Sequence, residues 1–155
     1  MVDGKMSNRK DLMNECVFCR IIANKLAASF VFQDETVCAF LDIQPINPGH
    51  LLIVPRIHAK AMNDLPVATA RHMMEVAQQL MSGLRRTSPQ CKGVNLFLAD
   101  GEAAGQEVDH VHLHVIPRHS NDGFGFRFAS DYGTLPQRKE LDEVAAAIRE
   151  AMGQA

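Results

Sequence analysis

Residues 110–115 read HVHLHV, a strict alternation of histidine with aliphatic side chains. Successive side chains of a β-strand point to opposite faces, so the pattern places three histidines on one face and Val111, Leu113 and Val115 on the other. The aliphatic face is suited to burial, whereas three neighbouring imidazoles leave several polar nitrogens that must be hydrogen-bonded or used. We therefore expect a half-buried strand whose histidine face carries chemistry.

The segments around this strand predict an α+β fold built on an antiparallel sheet. Apolar residues at three- and four-residue spacing between Asp64, the expected N-cap, and Arg86 predict one long amphipathic helix. One or two shorter helices are expected, after Cys16 and near the C-terminus. Runs of β-branched and aromatic residues bounded by turn residues predict the strands. The predicted strands are residues 29–33, 36–41, 50–54, 93–98 and 108–116.

Length, charge and hydropathy exclude several classes of protein. The 155 residues suit one ordinary domain, and the polar residues 1–14 are expected to be a flexible segment before it. Sixteen basic and eighteen acidic residues give a net charge of −2, without the basic cluster typical of nucleic-acid-binding proteins. The apolar runs are too short for a membrane span or a signal peptide. We predict a cytoplasmic protein that binds neither nucleic acid nor membrane.

Two interpretations of the histidine row compete. His-x-His on a strand can bind zinc through neutral imidazoles. Alternatively, one imidazole attacks phosphorus and forms a covalent phosphohistidine. The preceding loop favours the second interpretation, because Gly101 and Gly105 allow backbone amides to approach and cradle a phosphate. A separate motif, Cys16-x-x-Cys19, is typical of half a metal site or of a redox pair in a reducing compartment.

The stretch from Gly105 to Ile116 closely resembles the signature of the histidine triad (HIT) superfamily of nucleotide hydrolases and transferases. Segments 40–43 and 48–55 agree with it, and the similarity extends from about Cys16 to Phe128. The Cys-x-x-Cys motif resembles that of a bacterial HIT subgroup. The resemblance implies a HIT-like antiparallel sheet with one long helix and one or two shorter ones, with residues 15–155 forming a single domain.

The resemblance implies a covalent mechanism centred on His112. This residue would attack the α-phosphorus of a dinucleoside polyphosphate or nucleoside phosphoramidate and form a nucleotidyl-histidine that water hydrolyses. His114 would contact phosphate oxygens, and His50 would order the triad or the leaving group. The base, the ribose and the phosphates of this small-molecule nucleotide would be bound by the residues Phe40, Asp42, Ile43, Gly105, Gln106, Glu107, His112 and His114.

The resemblance also implies a metal and a partner. Cys16, Cys19, His58 and His110 match the metal ligands of the bacterial subgroup, and together they would hold a structural Zn²⁺ in a closed tetrahedral set. Under this reading His110 serves the metal, while the other two triad histidines serve the phosphate. Relatives of this family are generally homodimers, so the resemblance implies a homodimer here.

Two positions depart from the family pattern. Ala99 stands where many members carry an asparagine that supports the phosphate site, and Glu107 stands where serine or threonine is common. A carboxylate at position 107 would repel phosphate unless it points away or is protonated. These departures motivate an alternative function, a nucleotide-binding module with little turnover. A third hypothesis is a zinc-dependent interaction protein whose histidines serve only the metal.

Overall fold

The computed structural model describes residues 16–153, and it divides them into two compact parts, residues 16–123 and 124–153. The predicted flexible segment, residues 1–14, lies outside the described residues. The first part contains β1 (Phe30–Gln33), β2 (Val37–Leu41), β3 (Leu51–Pro55), β4 (Gly93–Phe97) and β5 (Leu113–Arg118). These strands form one antiparallel sheet in the order β1-β2-β3-β5-β4, which confirms the predicted α+β class.

The described part of the chain contains three α-helices. They are α1 (Val17–Ile22) and α2 (Val67–Thr87) in the first part, and α3 (Arg138–Ala151) in the second. Across residues 16–153, no helix combines the length and the apolar character needed to cross a bilayer. The single domain over residues 15–155, the homodimer and the cytoplasmic location stay predictions.

The two faces of the sheet bury different side chains. Leu51 and Ile53 of β3 point into a core cluster with α2, whereas Leu52 and Val54 pack into a second cluster with Phe18 of α1. This division follows from the two-residue period of a strand, because alternate side chains of one strand must serve opposite faces. Helix α2 therefore closes one side of the sheet, and the short α1 covers part of the other side.

The histidine segment shows the predicted alternation, although its strand begins later than predicted. Val111, Leu113 and Val115 all lie in the core cluster with α2. Strand β5 begins at Leu113 because the preceding segment pairs with a loop instead of β3: the Val111 N–H donates to the carbonyl of Ala59. His110 and His112 thus lie on an extended lead-in to the strand, and they still face away from α2.

The long helix begins later than its sequence pattern predicts. Its N-cap is Pro66, and the prediction of Asp64 was wrong. Proline disfavours helical backbone at the residue before it, and Leu65 accordingly has φ −82° and ψ 143°. The Asp64 carboxylate instead accepts a hydrogen bond from the Ala61 N–H, 3.2 Å away, in a 3₁₀ turn over Met62–Asp64.

An ion pair joins the β1–β2 turn to α2. Asp34 Oδ1 accepts hydrogen bonds from the N–H groups of Thr36 and Val37 at 2.8 Å each, and Asp34 Oδ2 lies 2.5 Å from His72 Nε2. The hydrogen bonds to Asp34 and Glu75 raise the pKa of His72. Burial of the carboxyl group acts to raise the pKa of Asp34, but the hydrogen bonds from Val37 and His72 hold this pKa below its usual value. Both shifts favour the charged pair.

We predict that this pair stabilises the fold most between pH 3.8 and pH 6.5, the ordinary pKa values of the two groups. The contribution of His72 is complete below pH 6.5 and is lost as pH rises through its raised pKa, whereas that of Asp34 is lost as pH falls through its lowered pKa. The two side chains are 30% and 31% exposed, so the pair is expected to contribute at most about 1 kcal/mol.

His72→Gln should therefore lower the free energy of unfolding more at pH 5.5 than at pH 8.5. Urea denaturation of both proteins at the two pH values measures the difference. A loss of equal size at both pH values would contradict the prediction.

Candidate functional site

A cavity of about 470 Å³ opens on the face of the sheet that α1 covers. Apolar side chains form one wall, and five polar residues line the rest of it. No lysine or arginine of residues 16–153 lines the cavity. The apolar lining is Val17, Phe18, Ile21, Leu26, Ala27, Ala28, Phe40, Leu41, Ile43, Leu52 and Val108; the five polar residues are Asp42, Gln44, Glu107, His112 and His114.

The imidazole of His112 is held in one tautomer. Its Nδ1 lies 2.7 Å from the carbonyl oxygen of His110, and a carbonyl only accepts hydrogen bonds, so Nδ1 carries the proton. The ring of Phe18 packs edge-on against it, with 5.1 Å between the ring centroids. In the neutral ring, the other nitrogen, Nε2, then carries the lone pair, and the ring lines the cavity. A neutral imidazole fixed in this way can act as a nucleophile.

A chain of hydrogen bonds sets the opposite tautomer in His114. The Ile46 N–H donates to His50 Nδ1 at 3.2 Å, so the proton of His50 is on Nε2, which lies 2.9 Å from His114 Nδ1. His114 then accepts at Nδ1 and carries its own proton on Nε2. Burial lowers the pKa of His50 despite the opposing charge of Asp42. Burial, His112 and His50 lower the pKa of His114 to about 4, so at neutral pH it is an uncharged donor.

The three residues predicted to bind the base and ribose lie together at the cavity. Asp42 is half-buried; its Oδ1 accepts a hydrogen bond from the Gln44 N–H at 2.8 Å, and its Oδ2 lies 3.6 Å from His50 Nδ1. Phe40 is buried and forms part of the apolar wall. Ile43 also lines the cavity, but 92% of it is exposed. The cavity thus combines an aromatic surface with a nearby carboxylate.

The glycine loop is closed by the side chain of Gln106. Gln106 Oε1 accepts from the Gly101 N–H at 2.7 Å, and Nε2 donates to the carbonyls of Lys60 and Val108 at 2.8 and 3.0 Å. Gly101 and Gly105 adopt φ +94° and +85°, which favour glycine. Neither Gly105 nor Gln106 lines the cavity. Their contact with phosphate therefore has no support from the cavity lining and stays a prediction. Glu107, the next residue, does line it and is exposed.

The four predicted metal ligands come together beneath α1, outside the cavity lining. Cys16 Sγ lies 3.4 Å from His110 Nδ1, and Cys19 Sγ lies 3.3 Å from His58 Nδ1 and 3.6 Å from His110 Nδ1. Zinc bond lengths give a sulfur–nitrogen separation of about 3.6 Å in a tetrahedral set. His110 Nε2 donates to the Pro55 carbonyl at 2.9 Å, so its Nδ1 lone pair is directed at the sulfurs. Within residues 16–153, these donors fit a metal ion.

Burial governs the protonation of this cluster. Burial, followed by the neighbouring Cys16, raises the pKa of the Cys19 thiol to about 12. Burial also lowers the pKa of His110 to about 4. Neutral imidazole is the form that binds metal, and a cation bound among these groups would stabilise thiolates that the protein alone disfavours.

Sequence reasoning missed part of the apolar wall. Phe18 and Ile21 were expected only as helix residues, and Leu52 and Val108 only as strand residues. Their apolar character indicated burial, but burial against a cavity and burial in a core have the same sequence pattern. The packing of α1 across the sheet makes the difference.

Comparisons with known proteins find one family along most of the chain. A family model described as "HIT domain" matches residues 23–121. An uncharacterized HIT-like protein of Borreliella burgdorferi is 40% identical over 116 residues, which cover 74% of this chain and 84% of that protein. The adenosine 5'-monophosphoramidase HNT1 of Saccharomyces cerevisiae is 35% identical over 114 residues, or 74% of this chain and 69% of that protein.

Solved structures show the same fold. A HIT family protein from Bacillus anthracis is similar with a TM-score of 0.81 and 35% identity, covering 89% of this chain and 97% of that one. A "ZN-bound histidine triad family protein" from Mycobacterium smegmatis is similar with a TM-score of 0.69 and 33% identity, covering 87% of this chain and 99% of that one.

Proposed function

The chain belongs to the HIT domain family, and on that premise we propose that it hydrolyses or transfers nucleotides by breaking a bond at the α-phosphorus. The observation that carries this proposal is the pair of imidazoles in opposite tautomers. His112 offers a lone pair and His114 offers a proton, and their ring centroids lie 4.9 Å apart on one side of the cavity. Displacement at phosphorus needs both functions, a nucleophile and a donor to the oxygens that gain charge.

The reaction would proceed in two displacements. His112 Nε2 attacks the α-phosphorus, and the bond to the leaving group breaks with its electron pair going to the leaving group. A leaving amine takes up one proton from solvent as it departs, and the substituted ring of His112 carries a positive charge until the second step. The Nε2–H of His114 stabilises the non-bridging oxygens without adding a net charge. Water then attacks the phosphorus of the nucleotidyl-histidine, the P–N bond breaks with its electrons returning to His112, and the water proton is released. The nucleoside monophosphate is the product.

The rest of the cavity would bind the nucleoside. A base of either type can pack on the apolar wall around Phe18 and Phe40, because stacking on aromatic rings depends little on base identity. Asp42 Oδ2 would accept hydrogen bonds from ribose hydroxyls, since Asp42 Oδ1 is already bonded to the backbone. Exposed Ile43 would cover the base at the mouth of the cavity.

Electrostatics would favour phosphoramidate over polyphosphate substrates. A polyphosphate leaving group carries several negative charges, and the cavity offers no lysine or arginine of the described chain to balance them. It does contain the carboxylates of Asp42 and Glu107. An amine leaving group carries no negative charge, so these carboxylates would not oppose its binding.

We predict that His112→Ala lowers the release of AMP from adenosine phosphoramidate by at least about a thousandfold, because the covalent route is lost. Monitoring AMP by chromatography measures the rate. His119→Ala, which replaces an exposed histidine outside the cavity lining, is the matched control and should retain full activity. Binding of AMP without turnover by the unmodified protein would refute hydrolysis and favour the nucleotide-binding module.

A second prediction concerns the charge at position 107. Glu107→Gln removes a negative charge with little change of shape. We therefore expect kcat/KM for a dinucleoside polyphosphate to rise by about threefold to tenfold. This range corresponds to about 0.7–1.4 kcal/mol of repulsion between the carboxylate and the polyphosphate, partly screened by solvent. The value for a phosphoramidate should change less than twofold. Glu102→Gln, an exposed carboxylate of the same loop that does not line the cavity, is the control. Equal effects of Glu107→Gln on both substrates would contradict the leaving-group argument.

We further propose that Cys16, Cys19, His58 and His110 bind a structural Zn²⁺. Two thiolates and two imidazoles complete a tetrahedral zinc set, which leaves no position for substrate. None of the four residues lines the cavity, in agreement with a role apart from the chemistry. Zinc bound at these residues would cross-link α1 to the segments that carry His58 and His110.

Removal of the two thiols tests this proposal. The double variant Cys16→Ser/Cys19→Ser should lose close to one equivalent of zinc per chain and melt at a lower temperature. Mass spectrometry of the metal content and thermal denaturation measure the two effects. Cys91→Ser, a half-buried cysteine outside the cluster, should keep the zinc. If the unmodified protein, purified from cells grown with ample zinc, contains no zinc, the assignment is wrong.

A further inference from the structure

A buried polar network outside the cavity holds the loop that carries His50. Asn47 is only 6% exposed, and its Nδ2 donates one hydrogen to the Pro117 carbonyl at 2.9 Å and the other to Asp122 Oδ2 at 2.8 Å. The backbone carbonyl of Asn47 in turn accepts a hydrogen bond from the His50 N–H at 3.0 Å. The Asn47 amide thus bridges the His50 loop and the end of the sheet.

The carboxylate of Asp122 anchors this network. Its side chain is 3% exposed and receives two hydrogen bonds from Arg118, both at 2.6 Å, from Nε and Nη2. Arg118 also donates to Asn95 on the neighbouring strand β4. A buried carboxylate is stabilised by such a paired guanidinium and is costly to leave unpaired. Since Arg118 ends β5, the network ties the His50 loop to the strand that carries His114.

The tautomer of His114 depends on the conformation of this loop. His50 accepts at Nδ1 from the Ile46 N–H, and the His50 carbonyl accepts from the Asp42 N–H at 2.9 Å. Only with Nδ1 occupied in this way does His50 present a proton at Nε2 to His114. If the loop shifts, His114 can carry its proton on Nδ1 instead, and its Nε2 lone pair would then repel a phosphate oxygen.

We propose that Asn47 and Asp122 are positioning residues for the reaction, which keep His114 in the tautomer that donates from Nε2. This inference rests on the proposed function, in which that proton binds the phosphate. Neither residue lines the cavity, so neither is in a position to touch the nucleotide. They act through the loop and through His50.

Asn47→Ala tests the proposal, because it removes the bridge without touching the cavity. We expect kcat for adenosine phosphoramidate to fall by about tenfold, a part of what the loss of an oxyanion donor costs. The dissociation constant for AMP should stay within about twofold, since the base and ribose contacts are intact. Asp122→Asn keeps an oxygen for Asn47 but loses the charge that pairs with Arg118, and it should give a smaller fall in kcat.

Imidazole ¹⁵N NMR provides a readout that does not depend on turnover. In the unmodified protein His114 should appear as a single Nε2–H tautomer, and in Asn47→Ala as a mixture of tautomers. Asn95→Ala removes a bond of Arg118 but leaves the Asn47–Asp122 contact, so its spectrum and its kcat should match those of the unmodified protein.

The outcomes separate this inference from the proposed function. A folded Asn47→Ala protein with unchanged kcat and an unchanged His114 tautomer would overturn the inference. If Asn47→Ala does not fold, unchanged values for Asp122→Asn would overturn it instead. If the unmodified protein turns over no nucleotide, the proposed function fails, and an unchanged tautomer spectrum in the variants still decides whether the network positions His114.

Discussion

Burial of three aliphatic side chains against α2 is the constraint on which the rest of the site depends. Val111, Leu113 and Val115 are almost fully buried in that core cluster. Because side chains alternate along extended backbone, their burial turns the intervening histidines toward the opposite face, where α1 and the cavity lie. A shift of one residue would exchange the two sets and place imidazoles in an apolar core. Packing on one face thus specifies the chemistry on the other.

Backbone groups then fix the proton positions of His110, His112 and His50, and His50 in turn fixes that of His114. Carbonyls accept from His110 Nε2 and His112 Nδ1, whereas an amide N–H occupies His50 Nδ1. The resulting lone pairs and protons differ from ring to ring, although the side chains are chemically identical. Burial keeps His50, His110 and His114 uncharged at neutral pH by lowering their pKa values. The backbone fold, rather than the residue type, distinguishes the proposed metal ligand, the proposed nucleophile and the proposed donor.

Helix α1 contacts both His110 of the proposed metal site and His112 of the cavity. Phe18 contacts both His110 and His112, with ring centroids 5.9 and 5.1 Å apart, and it also lines the cavity. Cys16, the N-cap of α1, and Cys19, within α1, bring the thiols to His110. Any ion that joins these ligands would therefore also hold the apolar wall against the sheet. In this arrangement, the proposed structural metal would support substrate binding without contacting substrate.

The sequence by itself determined the sheet, the long helix and the candidate residues, because alternation, helical spacing and the triad motif are local patterns. It did not determine where the long helix begins, because the N-cap is Pro66 and not Asp64. It also did not determine that β5 begins at Leu113. Only the tertiary structure brought Asn47 to Asp122 and engaged the Gln106 amide with backbone. Those contacts join residues that are distant in the chain or depend on loop conformation. No periodic pattern encodes them, so the proton positions that distinguish the histidines follow from the folded backbone alone.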